Sequence, residues 1–217
     1  MLLIMGGAGY IGSCTVKYLL DCGYDCIVAD NLVYGHKEAV DTRAKFIYAD
    51  LTDKDSLKEI FKNNKIDTVV HFAAYAYVGE SVINPQKYYQ NNVIGTLNLL
   101  DIMKEYNVNK IVFSSTCATY GEPNYTPIDE KHSQNPINPY GKSKLMIEQI
   151  FEDYKKAYGL SYIALRYFNA AGALSDAMTG ESHNPETHLI PLVLKAAKNN
   201  TSIKVLEPIM IRKTELV

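Results

Sequence analysis

Six short apolar runs alternate with helix-patterned stretches along most of the chain, and that alternation leaves few folds open. LLIM (2–5), DCIVAD ending at Asp30, KFIYAD ending at Asp50, DTVVHFAA ending at Ala74, KIVFSS ending at Ser115 and SYIALRYF ending at Phe168 are all of strand length. Helical spacing separates most of them, over Tyr10–Cys22, Ser56–Asn63, Pro85–Tyr106 and Pro139–Tyr158. Strands this rich in Val and Ile, alternating with helices, predict an α/β fold with a parallel, doubly wound sheet. Right-handed crossovers then bring ligands to the carboxyl ends of the strands.

Composition narrows the task. With 217 residues, 47% of them apolar, the chain can bury one large core and begin a second, smaller unit. A formal net charge of -2 provides no diffuse basic field, which argues against nucleic acid as a partner and for small-molecule chemistry. No apolar run approaches the ~18 residues of a membrane span. The opening Met1–Met5 ends at a glycine pair with no basic leader, so a cytoplasmic location is expected. Cys14, Cys22, Cys26 and Cys117 show no C-x-x-C spacing and the histidines show no ligand pattern, so free thiols and no metal are expected.

GGAGYIG follows the first strand and opens the first helix, with G-x-G-x-x-G at Gly7, Gly9 and Gly12 and a further glycine at Gly6. In that context backbone N–H groups and the helix dipole can meet a pyrophosphate, the Rossmann-like arrangement; the plain alternative is a flexible turn. Asp30 closes the second strand, where an acid accepts hydrogen bonds from an adenosine ribose and repels a 2'-phosphate. NAD is therefore expected over NADP. A strand-ending aspartate that caps the next turn is the bland reading of the same residue.

In PYGKSKLMIE (139–148) residues four apart share a helix face, so Lys144 faces Tyr140 and Lys142 does not. A cation beside a phenol favours the phenolate, a general base; solvated surface lysines are the bland alternative. Poising a tyrosine near neutrality takes about 3 pKa units, or ~4 kcal/mol. A charge pair at ~4 Å is worth about 1 kcal/mol in water and ~4 at an effective dielectric of 20, so the site must exclude bulk water. Thr116 follows KIVFSS, which places its hydroxyl at a strand's carboxyl end, for catalysis or merely for a turn. Tyr88 and Tyr89 read as core or as a helix–helix seam.

Taken together, GGAGYIGS, DNL, HFAA-x-x-x-VGES, NNVIGTLNLL, VFSST-x-ATYG, NPYGKSKLM-x-E and LRYFNAAGA resemble the extended short-chain dehydrogenase/reductase family over residues 1–205. The resemblance is strongest to members that invert C4 of a UDP-hexose, interconverting UDP-glucose and UDP-galactose through a 4-keto intermediate with tightly held NAD. It implies Tyr140 as base, Lys144 as its charge partner and ribose ligand, and Thr116 as a third catalytic hydroxyl. For the cofactor it implies Gly6, Gly9, Tyr10, Ile11, Gly12, Asp30, Asn31, Asp50, Leu51, Phe72, Ala73, Ala74, Asn91 and Phe168. Asn169 would touch the UDP-sugar together with Thr116 and Tyr140. A homodimer through the 85–106 and 145–158 helices is implied for the full-length form.

Some positions depart from that pattern. Met5 replaces a common threonine, Cys14 a common histidine, and Ala76 a lysine that some relatives hold near the phosphates. The family resemblance divides the chain into an NAD-binding domain (1–170), the beginning of a smaller substrate lobe (171–205) and an aberrant tail (206–217). After Val205 the family continues with a sequence like FGTDY, and bases encoding LEPIMIRKTELV can read FGTDYDTKDGTC if begun one base earlier with a T. A frameshift and an impaired, truncated enzyme are therefore expected. Two other readings stand beside epimerisation: a sugar-nucleotide 4,6-dehydratase, disfavoured because Cys117-Ala118 stand where Asp-Glu is typical, and a non-catalytic NAD-binding module. Resequencing the gene is expected to reveal a lost base in a T run at the Val205 codon; an unbroken frame without such a run would refute the frameshift.

Overall fold

All six apolar runs become parallel strands of one sheet. In the computed structural model, which describes residues 1–174, 179–183, 186 and 188–203, these are β1 (Leu2–Met5), β2 (Cys26–Asp30), β3 (Lys45–Tyr48), β4 (Thr68–His71), β5 (Lys110–Thr116) and β6 (Ser161–Tyr167). Their order is β3-β2-β1-β4-β5-β6. Between β1 and β4 the winding reverses, which opens a crevice at the strands' carboxyl ends. The expected doubly wound α/β sheet is thus present. The chain forms two compact units, Met1–Ser182 and His183–Val217, and the tail from 206 onward lies outside the described residues.

Helices α1 (Tyr10–Asp21), α2 (Lys54–Asn63), α3 (Val78–Ile83), α4 (Pro85–Tyr88), α5 (Gly95–Glu105) and α6 (Pro139–Tyr158) complete the first unit. One sheet face packs Leu3, Ile27, Val69, Ile111 and Phe113 under α2, α5 and α6 through Leu57, Phe61, Leu99, Met103, Ile147 and Phe151. The other face packs Ile4, Val28 and Val70 against Val16 of α1. In the second unit lies α7 (Leu189–Asn199). There Glu186 lies 3.6 Å from His183 Nδ1 and 3.2 Å from His188 Nδ1, a convergence the histidine spacing did not announce. All four cysteines are free, and among the described residues no helix is long and apolar enough to cross a membrane.

Two expectations change. β4 stops at His71 rather than Ala74, because the N–H groups of Phe72 and Ala73 both turn to Met5 O at 2.8 and 3.0 Å and leave the ladder. The single helix expected over 85–106 is interrupted by a π turn at Tyr89–Ile94. Periodicity carries no signal for such a bulge, but the side chains account for it. Asn92, 1% exposed, accepts from Tyr75 N at 2.9 Å and donates to Tyr75 O at 3.0 Å and Ser143 Oγ at 3.2 Å. It is a buried polar hub joining the post-β4 loop to α6. By contrast α6 begins and ends as its sequence says: Asn138 caps Gly141 N at 2.8 Å, Pro139 leads, and Gly159 closes it at φ +71°.

Asn92→Ala leaves several buried backbone and side-chain groups without partners, so it is expected to lower unfolding free energy by about 2–4 kcal/mol. Urea denaturation of the parent and variant measures the difference.

Candidate active site

The glycine loop is shaped by close backbone approach. A Cβ on Gly6, whose φ is +76°, would lie 2.5 Å from Ala73 N, and one on Gly12 would lie 2.2 Å from Gly6 O. These glycines bring β1, the post-β4 loop and the first turn of α1 together. Gly9 is the N-cap of α1 and supplies no side-chain cap, so the first-turn N–H groups face the crevice. An uncapped helix start cradled by glycines fits a pyrophosphate.

Asp30 caps the turn after its strand, the plainer of the two readings its sequence position allows, and also holds the glycine loop. Its Oδ1 accepts from Leu32 N at 2.8 Å, capping the turn after β2, and its Oδ2 accepts from Ala8 N at 3.0 Å, tying down the glycine loop. Each oxygen keeps lone-pair capacity for a ribose hydroxyl. Asn31 donates to Asp50 Oδ2 at 2.7 Å, so those two expected cofactor residues meet. Leu51, 3% exposed, is a core side chain that packs beneath Gly95. Ala73 meets Gly6, and buried Asn91 donates to Asn92 Oδ1 at 2.9 Å. Tyr10 and Ile11 turn their side chains into a pocket shared with Cys14, Tyr18 and residues 170–174, leaving their amides to the helix start. Phe168 and Asn169 follow the end of β6 and are exposed.

Thr116, Tyr140 and Lys144 converge at the end of β5. Thr116 caps the 3-10 turn Cys117–Thr119 by accepting from Ala118 N at 3.1 Å, and its hydroxyl lies near enough to the Tyr140 phenol to favour its ionisation. Lys144, 2% exposed, places Nζ 6.0 Å from the Tyr140 ring centre while Lys142 is exposed, as the helical spacing predicts. The ammonium donates to Ser114 O at 2.8 Å and lies over the Phe113 ring. Tyr88, wholly buried, sets its ring edge-on to Tyr140 at 6.5 Å, so the expected core residue also braces the site.

Desolvation dominates the electrostatics. Burial pushes the Tyr140 phenol up to about 12, opposed by the nearby Thr116 hydroxyl and with a small contribution from Cys117. Burial likewise pushes Lys144 down to about 7, opposed by the Glu148 charge. The protein alone therefore holds the pair near neutrality, and Lys144 by itself does not create a phenolate. The dry environment required of the site is present; the charge must be supplemented.

His71, Glu148, Asn92 and Ser143 are site neighbours that sequence reasoning passed over. The Asn91-Asn92 doublet and the four-residue spacing of Lys144 and Glu148 were the available signals. His71 is 1% exposed, and its Nε2 lies 3.0 Å from Thr96 Oγ1. Thr96 spends its one hydrogen on Asn92 O at 2.5 Å, so His71 carries its proton on Nε2, leaving Nδ1 buried without a partner.

With this geometry in place, comparison with known proteins is decisive. The profile of the NAD dependent epimerase/dehydratase family matches residues 2–211. The chain belongs to that family. It is 53% identical over 194 residues to the UDP-glucose 4-epimerase of Lacticaseibacillus casei, covering 89% of this chain and 59% of that protein. Among solved structures, the UDP-glucose 4-epimerase from Brucella ovis in complex with NAD is 51% identical, with TM-score 0.89 over 92% of this chain and 61% of that one. The enzyme from Bifidobacterium longum in complex with NAD+ and UDP is 40% identical, with TM-score 0.87 over 91% and 62%. This member of the epimerase/dehydratase family thus spans about 59% of the length of the curated relative it matches.

Burial, then the Lys144 charge, hold His71 down to about 3. Because the unfolded side chain titrates near ~6.5, the unfolded state binds more protons between the two values. Stability is full above the unfolded value and falls as pH drops through the window, by about 1.4 kcal/mol per pH unit at most. Thermal melts of the parent should lose stability from about pH 6 to pH 4, and His71→Gln should flatten that slope; equal slopes would contradict it.

Proposed function

We propose that this chain carries the dinucleotide-binding and catalytic part of an NAD-dependent 4-epimerase, which interconverts UDP-glucose and UDP-galactose through a 4-keto intermediate. The observation that carries this reading is the meeting of Thr116, Tyr140 and buried Lys144 at the carboxyl end of β5, in a sheet whose crevice also holds the uncapped, glycine-cradled start of α1. The family match and the epimerase relatives support it.

NAD, when bound, would supply a reversible hydride acceptor for C4. The glycine loop and the first-turn amides of Tyr10, Ile11 and Gly12 would hold its pyrophosphate. Asp30 and Asn31 would bind the adenosine ribose, with Asp50 ordering Asn31 through their 2.7 Å bond. Phe72, Ala73, Ala74, Asn91 and Phe168 would line the remaining cleft, and Asn169 would reach the UDP-sugar. Tyr140 takes the proton of the C4 hydroxyl and later returns it, while Thr116 holds the reacting oxygen and Lys144 stabilises the phenolate. Inversion requires the sugar to present its other face before hydride returns.

The dehydratase reading gains nothing from the turn after Thr116. Cys117 there is partly buried, and burial raises its thiol, leaving it a poor acid–base substitute at neutral pH. In the longer form we place the enzyme in the cytoplasm as a homodimer. Exposed Ile94, Met146 and Tyr158 on the 85–106 and 145–158 segments suit such a seam.

Tyr140→Phe should keep fold and bound NAD yet reduce turnover about 10²–10⁴-fold, the range of a lost general base. Nicotinamide fluorescence after adding UDP-galactose and a coupled assay for UDP-glucose measure both steps. A variant turning over near the parent rate would remove Tyr140 from the mechanism.

A further inference from the structure

The most buried carboxylate among the described residues is one that the proposed chemistry has not used. Glu148 stands one turn beyond Lys144 on the same face of α6 and is 7% exposed. Its carboxylate accepts from Ser115 Oγ. It also accepts from Arg166 Nε at 3.1 Å, Arg166 Nη2 at 2.7 Å and Gln134 Nε2 at 3.1 Å. Ser115 immediately precedes Thr116 on β5. Arg166 lies on β6, pairs with Thr116's neighbour Ser115 in the strand register, and donates to Tyr120 OH at 3.0 Å. One carboxylate thus links α6 to β5, β6 and the segment before α6.

We propose that Glu148 is a positioning residue of this site: it locks the ends of β5 and β6 onto α6 and keeps the Lys144 amine in its ammonium form beside Tyr140. The proposal rests on the epimerase reading above for its catalytic meaning. Its physical content stands without turnover.

The charges around Lys144 decide the direction. From β4 it is faced by His71, which is neutral; from its own helix by Tyr140, also neutral, and by Glu148; from β5 by the Ser114 carbonyl and the Phe113 ring. Arg166 of β6 pairs with Glu148, and against burial its guanidinium holds that carboxylate ionised. Among the described residues Glu148 is therefore the anion that favours the ammonium, and burial opposes it. Lys144 donates to Ser114 O and not to the Glu148 carboxylate, so the support acts through space. A carboxylate that merely filled the core would be replaceable by its amide, because glutamine can still accept from Ser115 and Arg166.

The test uses the whole 217-residue chain, labelled with 13C at lysine Cε, with the Lys144 resonance assigned by its loss in Lys144→Met. In the parent it should titrate near neutrality. In Glu148→Gln the midpoint should fall by about one pH unit, a tenfold loss of ammonium above it, the low end for one neighbouring charge. Glu148→Asp keeps the charge and should restore the midpoint, even where shortening the side chain loosens the Ser115 contact. This pair also keeps the test open should Glu148→Gln fold poorly, since Asp must then retain the parent midpoint. An unchanged midpoint in folded Glu148→Gln, or a fallen one in Glu148→Asp, would overturn the proposal. Failure of the parent to reduce NAD with UDP-galactose would instead count against the epimerase reading and leave the titration result standing.

Discussion

Burial of the Tyr140–Lys144 face of α6 is the constraint on which the rest of the structure depends. An amine at 2% exposure tolerates its charge only with a carbonyl to bond, an anion nearby and walls that do not move. Ser114 O supplies the first and Glu148 the second. The walls are set by β5 below, by the aromatic rings of Phe113 and Tyr88 beside it, and by the Asn92–Ser143 link that fixes the π turn against α6. The helix start itself is held by Asn138 and Pro139, which place Tyr140 in the first turn where its phenol reaches Thr116.

The opposite side of the crevice works by backbone rather than by side chain. A Cβ on Gly6 or Gly12 would lie 2.5 or 2.2 Å from neighbouring backbone, so packing alone requires glycine at both positions. Asp30 works on the same backbone: its carboxylate caps the β2 turn and tethers Ala8 of the glycine loop.

Much of this was legible in the sequence where one local rule decides the outcome. The strand runs, the Pro139–Tyr158 extent of α6 and the Tyr140–Lys144 spacing all follow from periodicity. What stayed hidden depends on contacts distant in the chain. The early end of β4 comes from Phe72 and Ala73 competing for Met5 O, and the π turn from Asn92 bonding Tyr75 and Ser143. The role of Glu148 emerges only when β6 brings Arg166 across it. The sign of the electrostatics was also hidden, because a lysine one turn from a tyrosine suggests a lowered phenol, whereas burial raises it and lowers the amine instead.

The site is therefore a dry cleft that keeps its proton until further positive charge enters. Absorbance titration of tyrosinate, taken as the difference between parent and Tyr140→Phe with and without NAD+, tests that directly. The account predicts that Tyr140 ionises only at about 12 in the free protein and several units lower with NAD+ present. The same midpoint in both states would contradict it.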